Sequence, residues 1–219
     1  MVGQAQGHHV NKQIAIVALA LYAQWASAGG MESLENFVKS AKSGRSDFTQ
    51  VVTAPAREGQ TARSKTSTGT FEFARPNRFR FNYRKPFEQT IVADGQTLWL
   101  YDVDLNQVTS RKQAQVLGST PAALIASSAD LGALKKDFTL EQVADRDGLQ
   151  WVEAIPKAKD GQLHSVKVGF RGNELASLDI LDNFGQRSVI TFTKLELNAA
   201  VAADAFQFKP PQGVDVVRQ

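Results

Sequence analysis

The sequence contains no cysteine, and only three of its 219 residues are histidine. Without cysteine the chain cannot form disulfides, thiolate metal sites or a cysteine nucleophile. His8 and His9 lie near the N-terminus, which leaves His164 alone in the rest of the chain. A single histidine at the start of a strand is more typical of a surface residue than of a catalyst. Neither a histidine-dependent triad nor a histidine metal site is therefore predicted.

Nucleotide-binding motifs are also missing, since neither GxxxxGK[ST] nor GxGxxG occurs in the chain. Pairs of acidic residues stand near predicted strand ends, where solvated carboxylates are usual, so calcium sites are not predicted. These pairs are Asp102 with Asp104 and Asp145 with Asp147. The residues therefore point to no metal and no nucleotide cofactor.

The charge balance argues against a nucleic-acid partner. The chain has 25 Lys+Arg against 22 Asp+Glu, a formal net charge of only +3. The basic and aromatic run over residues 75–85 could in principle stack on a single strand. Its arginines and aromatics alternate, however, so they fall on opposite faces of one strand. The aromatic face is instead expected to be half-buried in a core or to line a cavity.

Long apolar runs are absent except for one at the N-terminus. Residues 14–25 are apolar and nearly uncharged, and the small residues Ala26-Ser27-Ala28 follow. The run is short for a bilayer span and fits a cleavable signal peptide better than a membrane anchor. We therefore expect a signal peptide over 1–28 and one exported domain over 29–219.

The exported part shows a helix followed mainly by strands. Leu34, Phe37, Val38 and Ala41 recur with helical spacing, and Gly44 is predicted to end that helix. From there alternation of period two dominates, and residues 97–103 are apolar on both faces, which predicts a strand covered on both sides.

Short helices are predicted to interrupt the strands in the middle of the chain. Thr120 is the expected N-cap of one that begins at Pro121, and Asp130 the cap of another. A final strand is expected to contain Phe206 and Phe208. The pattern predicts one α+β domain, a strongly curved antiparallel sheet with helices over one face.

Five segments, in order, resemble the outer-membrane lipoprotein carrier protein (LolA) family. They cover nearly the whole exported part, and together they are specific although no single one is diagnostic. The segments are Phe48-Thr49-Gln50, residues 69–81 (GTFEFARPNRFRF), residues 91–109 (IVADGQTLWLYDVDLNQVT), Ser119-Thr120-Pro121 with Leu124-Ile125, and residues 206–214 (FQFKPPQGV).

The resemblance implies an incomplete, half-open antiparallel β-barrel with short helices forming a lid over a hydrophobic cavity. It implies a non-enzymatic, monomeric carrier in the periplasm, without a cofactor. Its cargo would be acylated outer-membrane lipoproteins, taken from an inner-membrane lipoprotein-releasing ABC transporter and delivered to an outer-membrane lipoprotein receptor. No partner of nucleic-acid type is implied.

The resemblance also implies roles for particular residues. Arg75 matches the motif arginine that hydrogen-bonds the lid helix, and the lid would be Thr120–Ala126, with Pro121 as a second gating residue. Without the resemblance, the sequence predicts that Arg75 is a surface arginine before a proline and that the aromatic residues form an ordinary core. The residues expected to line the lipid-binding cavity are Phe48, Phe71, Phe79, Phe81, Leu98, Trp99, Leu124 and Ile125.

Three other functions fit this chain less well than a carrier. The outer-membrane receptor of the same fold needs a lipidated N-terminal cysteine, which this chain lacks. A periplasmic lipid-sensing regulatory protein on the same half-barrel usually carries a second domain, for which residues 29–219 leave no room. An unrecognised hydrolase is disfavoured by the shortage of histidine and the lack of cysteine.

Overall fold

A computed structural model of the protein describes Gly3 and residues 29–56, 59–116, 121–126, 130–159, 161–202 and 204–219. Apart from Gly3, the predicted signal peptide lies outside the described residues, and so does the predicted N-cap Thr120. Within the described ranges, no helix has the length and apolarity needed to cross a membrane.

The described part of the chain forms four helices and twelve strands. The helices are α1 Gly30–Ser40, α2 Gln113–Val116, α3 Pro121–Ala126 and α4 Leu131–Asp137. The strands are β1 Ser43–Thr53, β2 Ser64–Ala74, β3 Arg78–Lys85, β4 Gln89–Asp94, β5 Thr97–Asp102, β6 Gln107–Lys112, β7 Phe138–Arg146, β8 Leu149–Pro156, β9 Leu163–Arg171, β10 Glu174–Asp182, β11 Arg187–Leu197 and β12 Asp215–Arg218.

All twelve strands belong to one open sheet, in the order β12-β6-β5-β4-β3-β2-β1-β11-β10-β9-β8-β7. Neighbouring strands are antiparallel except β12, which pairs with β6 in parallel. Among the described residues, β12 and β7 do not pair with each other, so the sheet does not close. The prediction of an incomplete antiparallel barrel with a few short helices is confirmed.

Helix α1 lies on the concave face of this sheet because its apolar stripe is buried there. Leu34, Phe37 and Val38 are each at most 2% exposed, and the Phe37 ring lies 6.0 Å from that of Phe170 in β9. The helix ends at Ser40, so the prediction that Gly44 ends it is wrong. Gly44 lies in β1, where a Cβ atom would come within 2.6 Å of the Phe73 ring.

The convex face is covered at one end by the C-terminal segment. The ring of Phe208 lies 5.5 Å from that of Trp99 and 6.1 Å from that of Tyr101. This contact confirms that β5 is covered on both faces. The prediction that Phe206 and Phe208 lie in a strand is wrong, because the last strand begins only at Asp215.

A charged cluster on the convex face joins β10 to the adjacent strand β11 and to the edge strand β7. Asp179 accepts two hydrogen bonds of 2.7 Å from Arg187 and one of 3.1 Å from Arg146. Burial disfavours the carboxylate, but the hydrogen bonds and charges of the two arginines outweigh this effect and lower the pKa of Asp179. The contribution of this group to stability is therefore fully present above its ordinary pKa of 3.8 and is lost as the pH falls through the lower, folded-state pKa.

Asp179→Asn is expected to lower the free energy of unfolding by about 1–2 kcal/mol at pH 7. The effect is no larger because the two arginines are half-exposed and solvent screens their charges. Urea unfolding at pH 7, 5 and 3 checks this. The difference from the wild type should be constant between pH 7 and 5 and shrink towards pH 3. Asp215→Asn serves as the control, because Asp215 is exposed and forms no ion pair with any other residue that the structure describes. A difference that does not depend on pH would contradict the assignment.

Candidate functional site

Arg75 lies in the turn between β2 and β3 and joins two helices. Its Nε and Nη2 atoms donate to the carbonyl oxygen of Ile125, at 3.0 and 2.8 Å, and its Nη1 donates to the carbonyl oxygen of Val38. The last carbonyls of a helix have no partner within the helix, and a guanidinium fork presents several donors in one plane. Arg75 therefore fastens the ends of α1 and α3 to the sheet.

The surroundings of Arg75 are apolar. The rings of Phe37 and Phe73 lie 5.3 and 6.0 Å from its guanidinium carbon. Burial lowers the pKa of Arg75 to about 10, so the group remains charged at neutral pH. A buried cation is costly unless its donors are used, and here they are used on the two helix carbonyls.

A second hydrogen bond holds α3 at Ala126, the residue after Ile125. The main-chain N–H of Asn77 donates to the carbonyl oxygen of Ala126 at 2.8 Å. The carbonyl oxygen of Asn77 in turn accepts a hydrogen bond of 2.5 Å from the side chain of Gln113. We call the bonds from Arg75 and Asn77 to α3 the latch.

Under the latch, most of the predicted cavity residues come together. Six of the eight predicted side chains are at most 7% exposed, and these six belong to a single apolar cluster on the concave face. Leu98 is partly buried and packs against the same cluster. The buried members are Phe48, Phe71, Phe79, Phe81, Leu124 and Ile125.

The cluster is tightly packed in this conformation. The ring of Phe71 lies 4.4 Å from that of Phe81, and the ring of Phe48 lies 5.5 Å from that of Phe81. Leu124 and Ile125 of α3 are each 1% exposed. The side chains of α3 thus complete the cluster that the sheet begins.

Trp99 was expected in the cavity, but the structure places it on the opposite, convex face. Adjacent residues of a strand point to opposite faces, and Leu98 is the one that contacts the concave cluster. Trp99 packs against Phe208 with tilted rings, and its indole N–H donates to the carboxylate of Asp94 at 3.0 Å. We therefore leave Trp99 out of the candidate cavity.

Pro121 is the first residue of α3, as the sequence predicts. Its side chain lies outside what the structure describes, and so do those of Ala122 and Ala123. A gating role for Pro121 stays a prediction.

An open groove of about 770 Å³ lies at the far end of the strands from the latch. Tyr83 lines this groove, and its ring packs 5.1 Å from that of Phe48, so the groove leads to the apolar cluster. Burial raises the pKa of Tyr83 to about 12, which keeps the phenol neutral. Phe87 and Leu105, 54% and 71% exposed, also line the groove. We call Tyr83, Phe87 and Leu105 the mouth.

The comparisons with known proteins decide the family. A model of the family described as outer membrane lipoprotein carrier protein LolA matches residues 39–209. The chain belongs to this family. The resemblance found in the sequence motifs is thereby confirmed.

Relatives of the LolA family match nearly the whole chain. A protein named outer-membrane lipoprotein carrier protein from Albidiferax ferrireducens is 65% identical over 212 residues, covering 95% of this chain and 100% of the relative. A protein of the same name from Methylibium petroleiphilum is 52% identical, covering 93% and 97%. Among solved structures, a LolA superfamily protein from Nitrosomonas europaea has a TM-score of 0.45 and 11% identity, covering 82% of this chain and 98% of that one.

The arrangement suits binding by burial. Within the described ranges, no three His, Asp or Glu side chains are grouped so that they could hold a metal ion. The site combines an apolar concave face, a helix that completes it, polar bonds that hold that helix, and an open groove that leads towards it. Motif reasoning finds Arg75, whereas Asn77, Gln113 and the mouth residues become visible only when the fold brings their segments together.

Proposed function

We propose that this chain is a periplasmic carrier that works as a monomer. It receives acylated outer-membrane lipoproteins from an inner-membrane ABC transporter, shields their acyl chains and passes them to an outer-membrane receptor. Membership of the LolA family supports this function, as do the names of the relatives in Albidiferax ferrireducens and Methylibium petroleiphilum. Members of this family are carriers and not enzymes.

The physical need for a carrier follows from the cargo. Burial of each CH₂ group stabilises an acyl chain by about 0.8 kcal/mol, so a ~16-carbon chain exposed to water costs on the order of 10 kcal/mol. Such a chain does not leave a membrane or cross an aqueous space unless another apolar surface receives it. The concave cluster of this sheet is a surface of that kind.

The observation that carries the proposal is that part of this apolar surface is covered by α3, a short helix that polar bonds hold in place. Leu124 and Ile125 occupy part of this surface. We propose that α3 swings away when the latch opens and that an acyl chain takes the place of its side chains. One set of apolar contacts then replaces another, so loading and release differ little in free energy. A carrier needs such a balance because it must also release its cargo.

The groove supplies the path into the cluster. Tyr83 lines the groove and packs against Phe48, so a chain that enters at the mouth reaches the aromatic cluster at Tyr83. The exposed Phe87 and Leu105 present apolar surface where the cargo would first arrive.

Depletion of the chain in its native host tests the function. Outer-membrane lipoproteins are expected to accumulate at the inner membrane, as measured by fractionation of the two membranes and detection of the lipoproteins. A wild-type copy supplied on a plasmid should restore the normal distribution. An unchanged distribution after full depletion would contradict the proposed function.

A further inference from the structure

We infer that Gln113 is a positioning residue for the lid. Its side chain binds the turn between β2 and β3 at Asn77, which we call the Asn77 turn, and the main-chain N–H of Asn77 binds the carbonyl oxygen of Ala126 in α3. The inference deepens the proposed function and rests on it, because it assumes that α3 is the helix that moves. Two attachments would then hold α3: Arg75 at the carbonyl of Ile125 and the Asn77 turn at the carbonyl of Ala126.

Gln113 is a buried polar side chain whose bonds all lead to turns. It is only 2% exposed although it is the first residue of α2. Its Nε2 donates to the carbonyl oxygen of Asn77 at 2.5 Å, and its Oε1 accepts from the main-chain N–H of Gly95 at 2.9 Å. A buried amide left without partners is costly, so these bonds specify one position for the side chain.

The Asn77 turn needs to be held because its backbone is unusual. Asn77 has a φ of 61°, in the left-handed region that asparagine tolerates better than most residues. Its main-chain N–H points to Ala126 and its carbonyl accepts from Gln113. The two groups lie in adjacent peptide planes that meet at the Cα of Asn77, so the bond from Gln113 helps to hold the turn in the conformation that presents the N–H to α3.

The position of Gln113 in the chain links the lid to a second helix. Helix α2 precedes α3 in the sequence, and the main-chain N–H of Gln113 also donates to Gln96 at 2.8 Å, in the turn between β4 and β5. Displacement of α2 would therefore release the Asn77 turn and, with it, the carbonyl of Ala126. In this arrangement the lid opens more readily whenever α2 leaves its place.

Gln113→Met tests the inference, since methionine keeps the length of the side chain and removes both hydrogen-bonding groups. Amide hydrogen exchange is measured on the purified chain without cargo. Exchange at the Asn77 amide and in α3 is expected to rise at least about fivefold, which corresponds to the net worth of one hydrogen bond. Exchange in β9 and β10 should stay unchanged. Gln115→Met, an exposed position on the same helix, is the matched control.

Two outcomes would overturn the positioning role. One is an equal exchange pattern in Gln113→Met and Gln115→Met. The other is a uniform increase across β9 and β10 as well, which would show that Gln113 only contributes to global stability. Both outcomes are measured by amide exchange and do not depend on lipoprotein transfer. Failure of the positioning role can therefore be distinguished from failure of the carrier function.

A second pair of variants keeps the test decisive if Gln113→Met does not fold. Asn77→Gly retains the left-handed backbone and should leave exchange in α3 within about twofold of the wild type. Asn77→Val disfavours that backbone and should raise exchange in α3 at least about fivefold. Equal exchange in these two variants would contradict the role of the Asn77 turn.

Discussion

Arg75→Leu is expected to give a chain that takes up acyl chains but fails to pass them on. Arg75 supplies the donors for the carbonyls of Ile125 and Val38. Leucine leaves these oxygens without a donor, and an unsatisfied buried group costs about 1–3 kcal/mol. In the proposed mechanism the bonds to Ile125 exist only while α3 is closed, so their loss destabilises the closed form, whereas the bond to Val38 of α1 is lost from both forms.

The equilibrium between loaded and empty chain therefore shifts towards the loaded one. A change of 1.4 kcal/mol corresponds to a factor of ten, so transfer to an acceptor is expected to fall about 10- to 100-fold. Release of a radiolabelled lipoprotein to acceptor membranes measures this directly. Arg84→Leu, at an exposed arginine of β3, is the control and should transfer normally. Normal transfer by Arg75→Leu would contradict the latch.

Leu124→Ala is expected to tighten the binding of an apolar fluorescent acyl probe, although it removes apolar surface. Leu124 is 1% exposed and packs in the concave cluster, and in the proposed mechanism it leaves the cluster when the lid opens. Removal of a buried leucine side chain costs about 2–5 kcal/mol, and here the closed form bears that cost. Because the apparent affinity equals the intrinsic affinity reduced by the open fraction, a larger open fraction should strengthen binding at least about tenfold.

Leu134→Ala is the matched control for this result. Leu134 lies in α4, is also 1% exposed and belongs to the same cluster. Its truncation should lower the free energy of unfolding by a similar amount and leave the affinity for the probe within about twofold of the wild type. Weaker binding in Leu124→Ala than in Leu134→Ala would show that α3 lines the site and does not compete for it.

The sequence predicts the concave face of the sheet well because alternation in a strand is a local property. Phe79 and Phe81 alternate with arginines, and both are buried on the same side. The same reasoning could not decide between Leu98 and Trp99, since β5 is apolar on both faces. The decision depends on Phe208, more than a hundred residues away, which covers the convex side.

The latch was only partly predictable, for a related reason. Arg75 stands in a recognisable motif, and its target helix could be named from the resemblance. Gln113 and Asn77 form no sequence pattern with α3, because their contact depends on how two turns and a helix meet in space. Alternation places Tyr83 on the same face as Phe79 and Phe81, but Phe87 and Leu105 of the mouth lie in turns, where apolar residues carry no periodicity.

The packing state of the cluster was not predictable at all. Periodicity shows that Phe71 and Ile125 are apolar and inward-facing, and this holds equally for a filled core and for an empty cavity. The structure shows the cluster closed by the side chains of α3. In the proposed function, this surface is occupied by the side chains of α3 until a cargo displaces them.

The central claim is that the chain binds its cargo through the acyl chains. The most direct measurement mixes the purified chain, beginning at Gly29, with a detergent-free lipoprotein in its acylated form and with the same polypeptide lacking the acyl groups. Size-exclusion chromatography then shows whether a soluble complex forms. We expect a one-to-one complex with the acylated lipoprotein and no complex with the polypeptide that lacks the acyl groups. Equal binding of both forms, or binding of neither, would contradict it.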